Sequence, residues 1–239
     1  MRIEKIGYRE GDTELEGHLA LPAYDTARKP VVLVAHAWRG QTDFERDKAE
    51  ALASLGWVGL ALDVYGKGVT GTNDAECAEL MQPLLDDRAL LQRRLLAGLE
   101  AARSHPRVDG SHVAAIGFCF GGLAVLDLAR SGAELRGVVA FHGLFHPNGL
   151  RKREIKARVL ALHGFDDPMA KPEQMVAFGR EMTEAKVDWQ IHAYGNTVHA
   201  FTNPQTNDPA HGTVFDAKAD RRSWAAMRAF LDEAFANTG

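Results

Sequence analysis

His112–Arg130 reads HVAAIGFCFGGLAVLDLAR, and this stretch decides the fold. Its first part, His112–Phe118, is a continuous apolar run of the kind that forms a parallel strand covered on both faces. Its last part predicts a helix over about residues 120–131. Between them lies Gly117-Phe118-Cys119-Phe120-Gly121-Gly122, a nucleophilic side chain flanked by glycines where a strand turns into a helix. The glycines have a physical purpose. A nucleophile in such a turn is held in a strained backbone conformation, and neighbours without a Cβ let strand and helix approach closely. The sulfur then stands above the sheet beside the positive end of the helix, which favours thiolate. Taken alone, the same cysteine reads equally well as a small buried residue in a glycine-rich turn. A dinucleotide-binding loop fits less well, because the spacing is not G-x-G-x-x-G and the strand is not the first of its series.

Working outward, short apolar runs recur at 31–36 (VVLVAH), 57–64 (WVGLALDV), 137–142 (GVVAFH) and 158–164 (RVLALHG), with a weaker one at 189–194 (WQIHAY). Helical patterns separate them: FERDKAEALASLG at 44–56, then a long segment over 73–104, then 172–186 and 215–236. In the long segment Leu80, Leu84, Leu91, Leu95 and Leu99 keep helical spacing, and Pro83 is expected to kink or restart the helix. The first 21 residues alternate loosely and predict an antiparallel hairpin at a sheet edge. The fold class is therefore α/β, with a mostly parallel, doubly wound sheet and an N-terminal antiparallel edge hairpin. No Pro/Gly/Ser-rich linker or internal repeat divides the 239 residues, so one domain over 1–239 is expected.

Composition excludes some classes of function. The net charge is −4 with acids and bases interspersed, which argues against a nucleic-acid surface. The run Arg151-Lys152-Arg153 reads as a solvated loop. The start, MRIEKIGYRE, has no apolar stretch behind its charges, and no apolar run approaches the roughly 20 residues a bilayer requires. No membrane partner follows from such a pattern. Two cysteines, Cys77 and Cys119, give no disulfide framework, so free thiols and a cytoplasmic location are expected. The C-terminal helix carries Lys218, Asp220, Arg221 and Arg222 on a mixed polar face, making a monomer the default.

Ligands of such sheets bind outside the C-terminal strand ends. The loops there are His36–Gly40, Asp63–Gly68, Phe118–Gly122, His142 onward, His163–Pro168 and Tyr194–Asn203. A thiol nucleophile needs a base, and the base needs an orienting carboxylate. Asp167, in Phe165-Asp166-Asp167-Pro168, suits the carboxylate, although alone it reads as an N-cap for the helix near 172. Asp166 suits the role less well. Of ten histidines, His18, His105, His112, His192 and His211 read as exposed or hydrogen-bonded, whereas His199 lies between the last strand and the last helix. The order Cys119, Asp167, His199 is the α/β-hydrolase order. His36, His142 and His163 also end strands and could converge, but no H-x-x-x-H spacing supports a metal. Neither metal nor organic cofactor is expected.

With these residues in place, the sequence resembles the dienelactone hydrolase family (carboxymethylenebutenolidases) along nearly its whole length. The matching segments are VVLVAHAWRG, LDVYGKG, GFCFGG, HGFDDP and YGNTVHAF. The resemblance implies Cys119 as nucleophile, Asp167 as acid and His199 as base. It also implies an oxyanion hole made by the backbone N–H groups of Trp38 and Phe120. The expected function is cysteine-dependent hydrolysis of a small ester or lactone through a thioester on Cys119. Two positions depart from the family. Its glutamate after the first parallel strand is Ala37 here, and its arginine after the histidine is Asn203. Without that glutamate, Cys119 is expected to rest more often as thiolate beside protonated His199. Arg39 or Lys67 is a candidate replacement for the lost carboxylate clamp. Trp38, Tyr65, Phe118, Phe145 and Phe201 are candidate pocket linings, with core packing the alternative for each, and for Phe118 above all. Competing readings are a peptidase or thioesterase on the same three residues, a non-catalytic ligand receptor, and a thiol redox sensor with Cys77 as its second thiol. Cys77 otherwise sits in a helical pattern without a catalytic role.

Overall fold

A computed structural model of the chain describes residues 1–23 and 27–236. β1 (Arg2–Glu10) and β2 (Thr13–Leu21) form the expected hairpin, and its two-residue turn places Gly11 at φ 56°. The chain continues through β3 (Lys29–Ala35), α1 (Asp43–Ser54), β4 (Val58–Ala61), α2 (Asp74–Asp86) and α3 (Arg88–Ser104). Next come β5 (Val108–Phe118), α4 (Phe120–Arg130), β6 (Gly137–Phe141), β7 (Arg158–Gly164), α5 (Pro172–Glu184) and β8 (Trp189–Tyr194). A short ribbon, β9 (Asn207–Asp208) and β10 (Thr213–Val214), precedes α6 (Ala217–Phe235).

Among the described residues the main sheet has eight strands in the order β1-β2-β4-β3-β5-β6-β7-β8. β1 and β2 pair antiparallel at one edge, β2 meets β4 antiparallel, and every later pairing is parallel. The absence of polar alternation in the strands has a direct cause. Leu33, Ala115, Val138 and Ala161 pack on one face with Leu91, Leu95, Leu99 and Phe120. Val32, Val34, Ile116 and Leu160 pack on the other with Leu52, Met227 and Leu231. Both faces are buried, so both sets of alternate residues must be apolar. No helix among the described residues is long and apolar enough to cross a membrane.

Three local readings need correction. The helical segment over 73–104 breaks at Asp87 rather than at Pro83, which lies inside α2. Proline removes one helical hydrogen bond, and α2 absorbs that loss. The chain turns where Asp87 can cap α3, its carboxylate accepting the Leu90 N–H at 2.8 Å. β4 is shorter than the apolar run over 57–64, because Asp63 Oδ1 bends the chain by accepting the N–H groups of Tyr65 and Gly66. The ribbon β9–β10 carries too few residues to show in apolar periodicity.

Candidate active site

Cys119 stands between β5 and α4 with φ 55° and ψ −115°, in the positive-φ region that side chains other than glycine avoid. The glycines around it are sterically required. A Cβ at Gly117 would run into the Gly121 carbonyl, and one at Gly121 into the Ala35 carbonyl. One at Gly122 would lie 2.7 Å from Gly143 Cα. The elbow is held by the Cys119 N–H, which donates both to Phe141 O and to His142 Nδ1, each at 3.1 Å. Cys119 is half-buried, and Phe118 points into the core against Phe44 and Phe141.

Asp167 follows β7 and is buried. Its Oδ1 accepts the Met169 N–H at 2.8 Å, and its Oδ2 accepts the Nδ1–H of His199 at 2.7 Å. It does not cap α5, whose N-cap position is Lys171. Asp166 is exposed. His199 is buried and its backbone is clamped by the ribbon: its N–H donates to Gly212 O and its carbonyl accepts the Val214 N–H. Its Nε2 is buried and within electrostatic reach of the Cys119 sulfur, without a well-formed hydrogen bond. Burial opposes a charge on His199, but the negative charge of Cys119 and the Asp167 carboxylate outweigh it and push the imidazole up to about 10. The structure thus brings together all three residues expected from the sequence.

The turn after β3 is clamped as well. The Ala37–Trp38 peptide carries the N–H expected at the oxyanion position. Its carbonyl, Ala37 O, accepts from His36 Nδ1 at 2.7 Å and from the Gly40 N–H at 3.2 Å. His36 Nε2 accepts the Val64 N–H at 3.2 Å, which fixes the proton on Nδ1. On the other side of Ala37, its N–H donates to Glu45 Oε1 at 3.1 Å. Glu45 is buried, and its Oε2 accepts from the N–H and hydroxyl of Thr42. Ala37 therefore does not leave the turn without a carboxylate, since α1 supplies one from eight residues downstream. The Tyr65 hydroxyl donates to Trp38 O at 2.9 Å, and burial raises the Tyr65 pKa. Phe120 opens α4, a position whose N–H has no partner inside its helix.

The other expected pocket residues differ in their surroundings. Lys67 pairs with Glu16 at 3.1 Å, turned toward the edge hairpin, so it is not placed as a carboxylate clamp. Phe145 is buried between His163 and Phe178, and Phe201 between His142 and Tyr194. Both belong to the packed interior. Asn203 turns its Oδ1 back onto the Gln205 N–H at 3.0 Å. Arg39 is exposed, and Gly71 donates to its carbonyl at 2.9 Å. His36, His142 and His163 do not converge: His163 Nε2–H donates to Ala170 O at 2.7 Å, while the other two hold the turns already described. Among the described residues no group of three His, Cys, Asp or Glu side chains is placed to hold a metal ion.

Two of these residues carried no assigned role from sequence alone. Glu45 has a visible signature, Thr42-x-x-Glu45, the spacing of a capping box, although that marks a helix start and not a site. His142 has none beyond its place at a strand end.

Comparison with known proteins agrees with this architecture. The family model described as "Dienelactone hydrolase family" matches residues 15–235. The crystal structure of P91, a dienelactone hydrolase-like promiscuous phosphotriesterase from metagenomic libraries, is 38% identical with a TM-score of 0.90, covering 98% of each chain. A solved structure named m3DLH is 37% identical with a TM-score of 0.92, covering 98% of this chain and 99% of its own. Carboxymethylenebutenolidase of Pseudomonas sp. (strain P51) is 33% identical over 157 residues, 63% of each chain. The chain belongs to the dienelactone hydrolase family and is a hydrolase of the ester or lactone bond.

Proposed function

We propose that the chain hydrolyses small esters or lactones through a thioester formed on Cys119. The observation that carries this reading is the 2.7 Å bond from His199 Nδ1–H to Asp167, with Nε2 left buried toward the elbow cysteine. The thiolate of Cys119 attacks the carbonyl carbon, and the carbonyl oxygen takes the negative charge. The N–H groups of Trp38 and Phe120 stabilise that oxyanion, each worth roughly 3–4 kcal/mol in comparable sites. As the intermediate collapses, the C–O bond to the leaving group breaks and His199 Nε2–H protonates the departing oxygen. Neutral His199 then takes a proton from water, hydroxide attacks the thioester, and the acid leaves as Cys119 returns to thiolate. Asp167 holds one tautomer and stabilises the imidazolium throughout. Among the candidate cations, Arg39 remains for a substrate carboxylate, because Lys67 is engaged by Glu16. No step calls on a metal or organic cofactor, and the chain acts as a monomer in this reading.

The test compares p-nitrophenyl acetate, a neutral ester, with cis-dienelactone, an anion, on wild type, Cys119→Ala and Arg39→Ala. A phosphotriester belongs in the same series, since P91 is named a promiscuous phosphotriesterase. Ester or lactone hydrolysis by wild type that disappears in Cys119→Ala is the expected result. Arg39→Ala is expected to raise KM for the anion alone. Equal rates for wild type and Cys119→Ala would refute the thioester.

A further inference from the structure

β6 ends beside the elbow, and His142, the residue after it, takes a positive φ of 38°. Its N–H donates to Leu162 O at 2.8 Å, which pins this uncommon backbone conformation and turns the ring toward Cys119. There Nδ1 lies 3.1 Å from the Cys119 nitrogen, while Nε2 lies 2.9 Å from Thr202 Oγ1. A backbone N–H can only donate, so Nδ1 is the unprotonated nitrogen. The ring proton is on Nε2 and goes to Thr202. The ring meets that of His199 at a steep angle of 66° with 5.1 Å between centroids, and Phe201 packs at the same distance. The ring is buried. It thus touches the backbone of the nucleophile, the flank of the base, and the loop that carries the base.

We propose that His142 is a positioning residue: by accepting the Cys119 N–H and backing the His199 ring, it sets the thiolate–imidazolium pair in register. The inference rests on the reading of Cys119 and His199 as the reacting residues. It requires His142 to be neutral, since a protonated Nδ1 would confront the Cys119 N–H donor to donor. The surroundings enforce that state. Burial disfavours a charge on His142, and further positive charge at His199 on its loop, His163 on β7 and Lys48 on α1 opposes one. Cys119 faces the ring from the elbow, and Thr202 is uncharged. His142 is therefore kept neutral, and the imidazolium that the proposed mechanism uses is His199.

Two substitutions separate positioning from mere filling of space. In His142→Asn the amide oxygen can stand where Nδ1 stood, whereas His142→Phe keeps the ring and removes the acceptor. The readouts are kcat and KM for p-nitrophenyl acetate, and the pH dependence of Cys119 alkylation by iodoacetamide, with Cys119→Ala as the blank for Cys77. His142→Phe is expected to lower kcat about a hundredfold with KM nearly unchanged, the signature of misplaced reacting groups. Its alkylation profile should move about one unit to higher pH as the imidazolium loosens from the thiolate. His142→Asn should recover most of both losses. Should His142→Phe not fold, His142→Gln, whose amide reaches only the Nε2 position, takes its place with the same expectation. Equal kcat losses in both variants with an unmoved alkylation profile would overturn the proposal, as would wild-type behaviour in both. If instead Cys119→Ala hydrolysed the ester as well as wild type, the thioester reading would fall. The alkylation profiles would still report on His142.

Discussion

Asp167 and His199 are both buried and hydrogen-bonded to each other. The His199 pKa is raised in the fold from an ordinary 6.5 to about 10. A raised pKa contributes stability that is fully present below the unfolded value and is lost as pH rises through the folded value. Cys119 is the largest cause of that rise and Asp167 the next, so the part due to the Asp167 bond should stabilise most below pH 6.5 and fade toward about pH 10. Asp167→Asn is expected to destabilise the fold most at mildly acidic pH, by on the order of a few kcal/mol, read as a lowered melting temperature. The gap to wild type should close in alkaline buffer. A gap that widened with pH would contradict the assignment. At this scale Cys119, Asp167 and His199 were legible because each lies in a loop at a strand end, in the order the fold demands. Glu45 and His142 were not, because their partners are backbone N–H groups of Ala37 and Cys119, and no side-chain motif marks such a bond. Lys67 misled for the opposite reason. Its loop follows a strand end, but its ammonium pairs with Glu16 on β2, and that pairing exists only once the hairpin has docked.

Among the elements, the β9–β10 ribbon does more than its four residues suggest. It holds the backbone of His199 through Gly212 and Val214. Gly212 has φ 66°, and a Cβ there would run into the Pro168 ring, next in sequence to Asp167. Gly212→Ala is expected to destabilise the protein by about 1–3 kcal/mol through the forced left-handed conformation. Because the clash falls between the loops carrying Asp167 and His199, kcat should drop while the elbow stays intact, with Cys119 still alkylated at its wild-type maximal rate. The helices and central strands could be read from periodicity since burial of both sheet faces writes apolar runs directly into the chain. Boundaries such as Asp63 and Asp87 could not, because single carboxylates bending the backbone decide them.

For the whole molecule, α4 is the pivot. All of its residues from Phe120 to Arg130 are buried, including Asp127, which takes Arg88 Nε from α3 at 2.7 Å and Arg130 Nη1 at 3.2 Å. Arg130 in turn reaches Glu181 on α5 through two bonds of 2.8 and 2.7 Å. This chain of charges ties three helices together on the side of the sheet that carries the elbow helix. Removing its centre leaves Arg88 without its ion-pair partner in the interior and Arg130 with Glu181 alone. Asp127→Ala is expected to cost about 3–5 kcal/mol in urea unfolding. Asp127→Ala with Arg88→Met should recover part of that loss, and a double variant no better than the single would show that the network is not acting as a unit.

The crowding of Gly117, Gly121 and Gly122 against backbone atoms has a consequence for anyone redesigning this scaffold. Collision with main chain cannot be relieved by repacking neighbours, so a library that randomises these positions spends its members on chains that do not fold. Cys119 is different, since its Cβ is already accommodated and serine differs from cysteine by a single atom. The identity of the proposed attacking atom is therefore open to exchange while the frame that aims it is frozen. Under the proposed function, new selectivity is to be sought in the strand-end loops at Trp38–Arg39, Tyr65–Val69 and Phe165–Met169.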